Sequence, residues 1–389
     1  MRGRWRWVLL ACVALLLLWR AMPWTTTGLS SARPQANQTS PTSPSKDASE
    51  AAETPHHPIA RHSMQRLRES DAWAACDAAW KSQMQVLRSE LDPAADPDTA
   101  IKHALLGQWT GWALQPQSRL DVASDIQRSR EHWPDNVELA WLALDACEEP
   151  DLCKRALAEV QRLDGHNLAT WLKMLAVTDG NDGASLERTI ARAAESTFFD
   201  NRFGSRYLRL EPLLRKRPPP SACLDPFVLD SIGDMLGRHP DANDVQAMAA
   251  LEAELANPAL VMPMAQLART CKNAITSDTH DPLAQQGCTT VLERLAESDV
   301  LAERSVALRL LSDAGDPQLS GHAREAYRQL LWMADARQRG LRLDPAEFLR
   351  LGEQGATEAA LRRSGRWPPP AHWLPDDPEL RVIVTPRPR

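Results

Sequence analysis

The chain has 389 residues, a formal net charge of −6 and a pI near 6.0. That balance, with no basic patch interleaved with aromatics, speaks against a nucleic-acid partner. About 300 residues lie between a leader-like N-terminus and a Pro-rich tail, enough for one large core or two smaller ones.

Arg2, Arg4 and Arg6 stand directly before an apolar run from Trp7 to Trp19. A basic stretch followed by an apolar one is the pattern of a secretory signal. The run is shorter than the roughly 20 apolar residues of a spanning helix, and Arg20 interrupts it. Residues 1–24 therefore read as a signal peptide or an uncleaved membrane anchor, the anchor being preferred. Either way the arginines stay inside and the bulk of the chain lies outside. The expected location is the inner membrane with a periplasmic bulk, or the periplasm itself if the signal is cleaved. Residues 25–62, rich in Ser, Thr, Pro and Ala, lack the apolar side chains for a core and read as a flexible tether. His56, His57 and His62 fall there as solvated histidines rather than metal ligands.

From residue 63 onward almost no alternating pattern appears, and helical spacing is everywhere. Ala156, Leu157, Val160 and Leu163 follow Cys153 on one stripe. Val306, Leu310 and Leu311 continue the pattern, and Ala323, Ala326, Tyr327, Leu330, Leu331 and Ala334 form another. Helix starts are marked by Asp-Pro at 96–97, 225–226, 281–282 and 344–345. The Asp side chain accepts from orphan N–H groups, and Pro at the first position forfeits no hydrogen bond. Glu347 would complete a capping box with Asp344. Gly180, Gly237, Gly340 and Gly352 mark helix stops. The predicted fold class is all-α, with helices of about 10–18 residues joined by short turns.

Between residues 134 and 201 a spacing near 31–34 residues recurs. Pro134-Asp135-Asn136 precedes a helix with Trp141 and Leu144. Asp164-Gly165-His166-Asn167 ends the next helix, and Trp171, Met174 and Leu175 recur before Asp200-Asn201. This resembles the tetratricopeptide family of helical hairpins. The family's Gly after the Leu and its Tyr three residues later are missing. The resemblance spans two units. It implies antiparallel hairpins stacked into an α-solenoid with a concave face, and no activity. An irregular all-helical domain with a chance repeat is the alternative. Arg215-Lys216-Arg217 and three prolines interrupt the pattern, dividing a repeat region, 63–217, from a second helical region, 218–365. The tail, 366–389, reads as extended or disordered, with Leu380 to Val384 its one apolar patch.

Besides Cys12, six cysteines remain, an even number in an exported region, which points to disulfides. Cys147 and Cys153 flank the turn Glu148-Glu149-Pro150 and rank first as a pair. Cys271 and Cys288 flank a turn-rich stretch and could staple a second hairpin, leaving Cys76 with Cys223. Free buried thiols are the alternative reading.

No reactive signature stands out: HExxH, GxSxG, GxxxxGK[ST] and GxGxxG are all missing. His132, His166, His239 and His280 read as cap or loop residues. Glu148 with Glu149 reads as a solvated turn, and Asp278, His280 and Asp281 as a cap. No catalytic, cofactor-binding or metal-ligating residue is expected. The function expected is a protein–protein interaction scaffold in the cell envelope, tethered by the N-terminal segment and holding a protein partner. The alternative is a cell-envelope enzyme, a peptidoglycan lyase or hydrolase, carrying a helical superhelix.

Overall fold

A computed structural model describes residues 65–111, 116–177, 183–255, 264–276, 282–314 and 316–385, all within one compact unit. The signal or anchor segment, the tether, Gly180 and the 278–281 cluster lie outside the described residues. Among the described residues the regular structure is entirely helical, with one isolated bridge between Asn167 and Phe198. No described helix is long and apolar enough to cross a membrane.

The helices in chain order are α1 (Asp71–Ser89), α2 (Pro97–Gly111), α3 (Pro116–His132), α4 (Val137–Ala146), α5 (Pro150–Asp164), α6 (Leu168–Val177), α7 (Gly183–Ala194) and α8 (Ser205–Leu214). A 3₁₀ turn, Ser221–Leu224, leads to α9 (Pro226–Leu236), α10 (Ala242–Leu255), α11 (Met264–Thr276), α12 (Pro282–Leu295), α13 (Leu301–Leu311), α14 (Pro317–Gln338), α15 (Pro345–Arg363) and α16 (Pro378–Val384). Four of these begin at the prolines of the predicted Asp-Pro starts. Two more such starts occur, at Pro317 and Pro378, each capped by the preceding Asp. Asp344 accepts from the N–H groups of Ala346 and Glu347 as expected. The Glu347 carboxylate, however, forms a two-pronged pair with Arg363, at 2.7 Å to each nitrogen. A charged partner outcompetes the backbone N–H that a capping box would have used.

Gly237 ends α9 in a left-handed conformation. Gly352 also has positive φ, but the chain resumes helical form after it, so it kinks α15 rather than ending it. The kink brings the backbone against Asp299, whose carbonyl accepts from the N–H of Gln354 at 3.0 Å.

Consecutive helices from α1 through α7 pack on one another, while α7 also packs on α12, and α10 on α15. The apolar side chains gather into two cores. One unites α1, α2, the Leu139 and Leu142 face of α4, α8 to α10 and the first part of α15. The other unites Ala140 and Trp141 of α4 with α6, α7 and α11 to α14. Both cores draw residues from each side of 217/218, and the basic stretch there is tied down: Arg217 pairs with Glu90, and its carbonyl accepts from Gln246.

The tail from Trp367 departs from the extended or disordered end expected of it. Arg328 donates to the carbonyl of Pro370 at 2.9 Å, and the Trp332 and Trp373 rings meet edge to face. Asp377 caps α16, and Ile383 and Val384 are buried. The apolar patch at 380–384 takes helical spacing and docks on α14, giving the prolines before it a fixed path.

Candidate functional site

The six cysteines form three bonds: Cys76–Cys223, Cys147–Cys153 and Cys271–Cys288, with Cα–Cα distances of 4.4, 5.2 and 5.3 Å. The first joins α1 to the 3₁₀ turn, the second spans the α4–α5 turn, and the third staples α11 to α12. Glu148 and Glu149 are exposed in their turn. His132 closes α3, its Nδ1 sitting 3.0 Å from the Arg128 carbonyl. No group of three His, Cys, Asp or Glu suited to a metal occurs among the described residues.

The densest chemistry lies elsewhere, in charged residues buried around α4 and α8. Helix α4 places Glu138, Trp141 and Asp145 at i, i+3 and i+7, hence on one face. The loop before α8 supplies Asn201 and Arg202, and the first turn of α8 adds Arg206. Arg202 donates to Glu138 at 2.9 Å and to Asp164 at 2.8 Å, and lies 5.8 Å over the Trp141 ring. The Trp141 indole N–H donates to the same Asp164 oxygen at 2.8 Å, and Asn167 does so at 3.0 Å. Arg202 has a φ of 65°, a region costly for a non-glycine side chain. Its own N–H donates to Asp200 at 2.8 Å, so the ion pairs and this turn together hold the strained backbone.

The two turns that the recurring spacing singled out meet here. Asn167 donates to the Asp200 carbonyl at 2.9 Å and accepts from the Asp200 N–H at 3.0 Å. The turns at 164–167 and 200–201 are thus bonded to each other.

Deeper in, Arg206 pairs with Asp145. Burial works against the Arg206 charge, but Asp145 and Glu254 outweigh it and hold the guanidinium protonated. Glu254 is wholly buried. Burial pushes its carboxyl up to about 7, against the pull of the Arg206 charge. Glu303, also buried, is pushed up to about 7 by the same desolvation, opposed by Ser298, Asn201 and Lys173. Ser298 donates to it at 2.7 Å and Asn201 at 3.3 Å. Lys173 is lowered by burial, with Asp145 and Glu303 working against that shift. Two buried carboxyls are thus raised toward neutrality, Glu254 within the field of Arg206 and Glu303 within that of Lys173. That pattern marks functional sites, although buried structural networks share it.

The sequence pattern did not single out these residues. A signal exists: Asp145, Glu254, Glu303 and Arg206 each sit three or four positions from a buried apolar residue of their own helix, namely Trp141, Leu251, Ala307 and Leu210. A charge in register with an apolar stripe is a candidate for burial with a partner.

Comparison of the chain with known protein families, with curated proteins and with solved structures finds no match.

Proposed function

We propose that this protein is an exported helical scaffold that holds a protein partner in the cell envelope. Residues 1–24 anchor it to the inner membrane or direct its export, and residues 25–62 serve as the tether. The observation that carries the reading is the set of three disulfides within one helical unit, since such bonds persist in oxidising compartments. Stepwise packing of α3 through α7, and the bonding of the turns at 164–167 and 200–201, support a tetratricopeptide-like solenoid segment at 134–201. Contacts of α7 with α12 and of α10 with α15 are additions that a simple solenoid lacks. The test is a reporter fusion to the C-terminus, combined with cross-linking of the full chain in cells. A reporter active only in the cytoplasm, with no cross-linked envelope protein, defeats the reading.

The second reading, an envelope lyase or hydrolase, rests on Glu303, whose carboxyl burial pushes up to about 7, close to the value that suits a general acid at neutral pH. Its test is release of soluble fragments from purified peptidoglycan by the full chain, compared with Glu303→Gln. Equal rates for both, or no release, remove it.

A further inference from the structure

We propose that Cys147–Cys153 is an exchangeable disulfide, opened and reclosed by a dithiol oxidoreductase, while the other two bonds are permanent. The three bonds differ first in access. Cys76 and Cys223 are 0% exposed, and Cys271 and Cys288 are 0% and 2% exposed. Cys147 and Cys153 are only half-buried, beside the exposed Glu148, Glu149 and Pro150. Exchange proceeds by thiolate attack on a disulfide sulfur, so a sealed bond opens only when the surrounding core opens.

They differ next in what opening releases. Cys147 and Cys153 are 6 residues apart, against 17 and 147 for the other pairs. The shortest loop gains least chain freedom when cut. The flanking helices are held independently, α4 by Trp141 and Asp145 and α5 by Ala156, Leu157 and Val160, all buried. The turn thus opens within a standing fold.

The two sulfurs are also unequal. Cys153 lies in the first turns of α5, where the helix dipole favours a thiolate. Cys147 is the C-cap of α4, where the dipole disfavours one. The better leaving group is therefore Cys153. An incoming thiolate bonds to the Cys147 sulfur, and the S–S electron pair departs on Cys153, which then takes a proton from water. The reductant's second thiolate attacks its own sulfur in the mixed disulfide and expels Cys147 as a thiolate, which is protonated in turn. The reductant ends as a disulfide, and the protein has gained two electrons and two protons. Glu148, Glu149 and Asp151 flank the bond in the chain and are exposed, against the two cations Lys154, 3.6 Å from Asp151, and Arg155, for a local excess of one negative charge. This acidic rim favours a partner with neutral or basic surface around its thiol and disfavours anionic small thiols.

The experiment treats the folded full chain with increasing dithiothreitol, quenches with iodoacetamide and maps the alkylated peptides. The expected result is alkylation of Cys147 and Cys153 at dithiothreitol about tenfold or more below that needed for the other four, with the helical circular dichroism unchanged. Simultaneous release of all six, or earlier release of another pair, overturns the proposal. Cysteamine, a cationic monothiol, supplies the second arm: its mixed disulfide should map chiefly to Cys147, and a majority on Cys153 overturns the assigned direction of attack. The Cys147→Ser/Cys153→Ser variant should fold with its other two bonds formed. A variant that cannot fold shows the bond to be structural and ends the proposal.

Discussion

Asp145 and Arg206 are ion-paired with side chains only 3% and 2% exposed, 61 positions apart in the chain. Both side chains are nearly sealed from water, so each charge depends on the other for its solvation.

Asp145→Asn should therefore be strongly destabilising, by about 3–5 kcal/mol, because it strands the guanidinium beside an incompletely compensating Glu254. Replacing both partners with apolar residues of similar volume should cost less than either single change. Urea unfolding of the two single variants and the double one checks this. A double variant less stable than both singles would mean that the pair itself is net stabilising.

Glu254 and Glu303 predict a pH dependence. Each carboxyl is raised from the ordinary 4.5 to about 7. Between those values the folded chain holds a proton that the unfolded chain has released. The stability tied to the protonated form is complete below about pH 4.5 and is lost as pH rises through about 7. The loss per group is at most about 3 kcal/mol. Glu254→Gln and Glu303→Gln should each flatten the fall in urea midpoint across this window. The lowered carboxyls of Asp98 and Glu159 act in the opposite sense and only at more acid pH. His103, lowered by burial, opposes the fall within this window, so the assignment is contradicted if neither Gln variant changes the wild-type slope.

Gly352 should not accept a side chain. Its φ is 71°, and a Cβ there would sit 2.5 Å from the Asp299 Cβ. Gly352→Ala should lower stability by more than the ~1 kcal/mol of ordinary helical propensity changes. Gly321, with open space around it in α14, is the control: Gly321→Ala should stabilise by roughly 0.5–1 kcal/mol. Thermal melts of both variants give the comparison.

Removing the Cys76–Cys223 bond as a double serine variant should cost up to about 5 kcal/mol, since it closes the longest loop. It should lower the denaturation midpoint more than loss of Cys147–Cys153 does. Equal losses would show that loop length does not govern these bonds.

What could be read in advance depends on how local its cause is. Asp-Pro starts are written in adjacent residues, because a cap needs only the first turn to act on. Pairing Cys147 with Cys153 is likewise read from a short turn. The stripe from Ala323 to Leu330 is legible because its period of 3.6 fixes the buried face. On α13 the same logic went partly astray: Val306 is half-buried, while Ala307, Leu308 and the charged Glu303 take the inward face.

The helical class and the Asp-Pro helix starts were thus decided by the sequence alone, through forces acting over three or four residues. Only the tertiary structure decided that Arg202 would meet Glu138 and Asp164, that Arg206 would meet Asp145, and that Glu254 and Glu303 would be buried. Those encounters join helices distant in the chain, and the burial that shifts their carboxyls comes from every element packed around them. A charge on an apolar stripe announces that it needs a partner, but the partner is chosen by the fold.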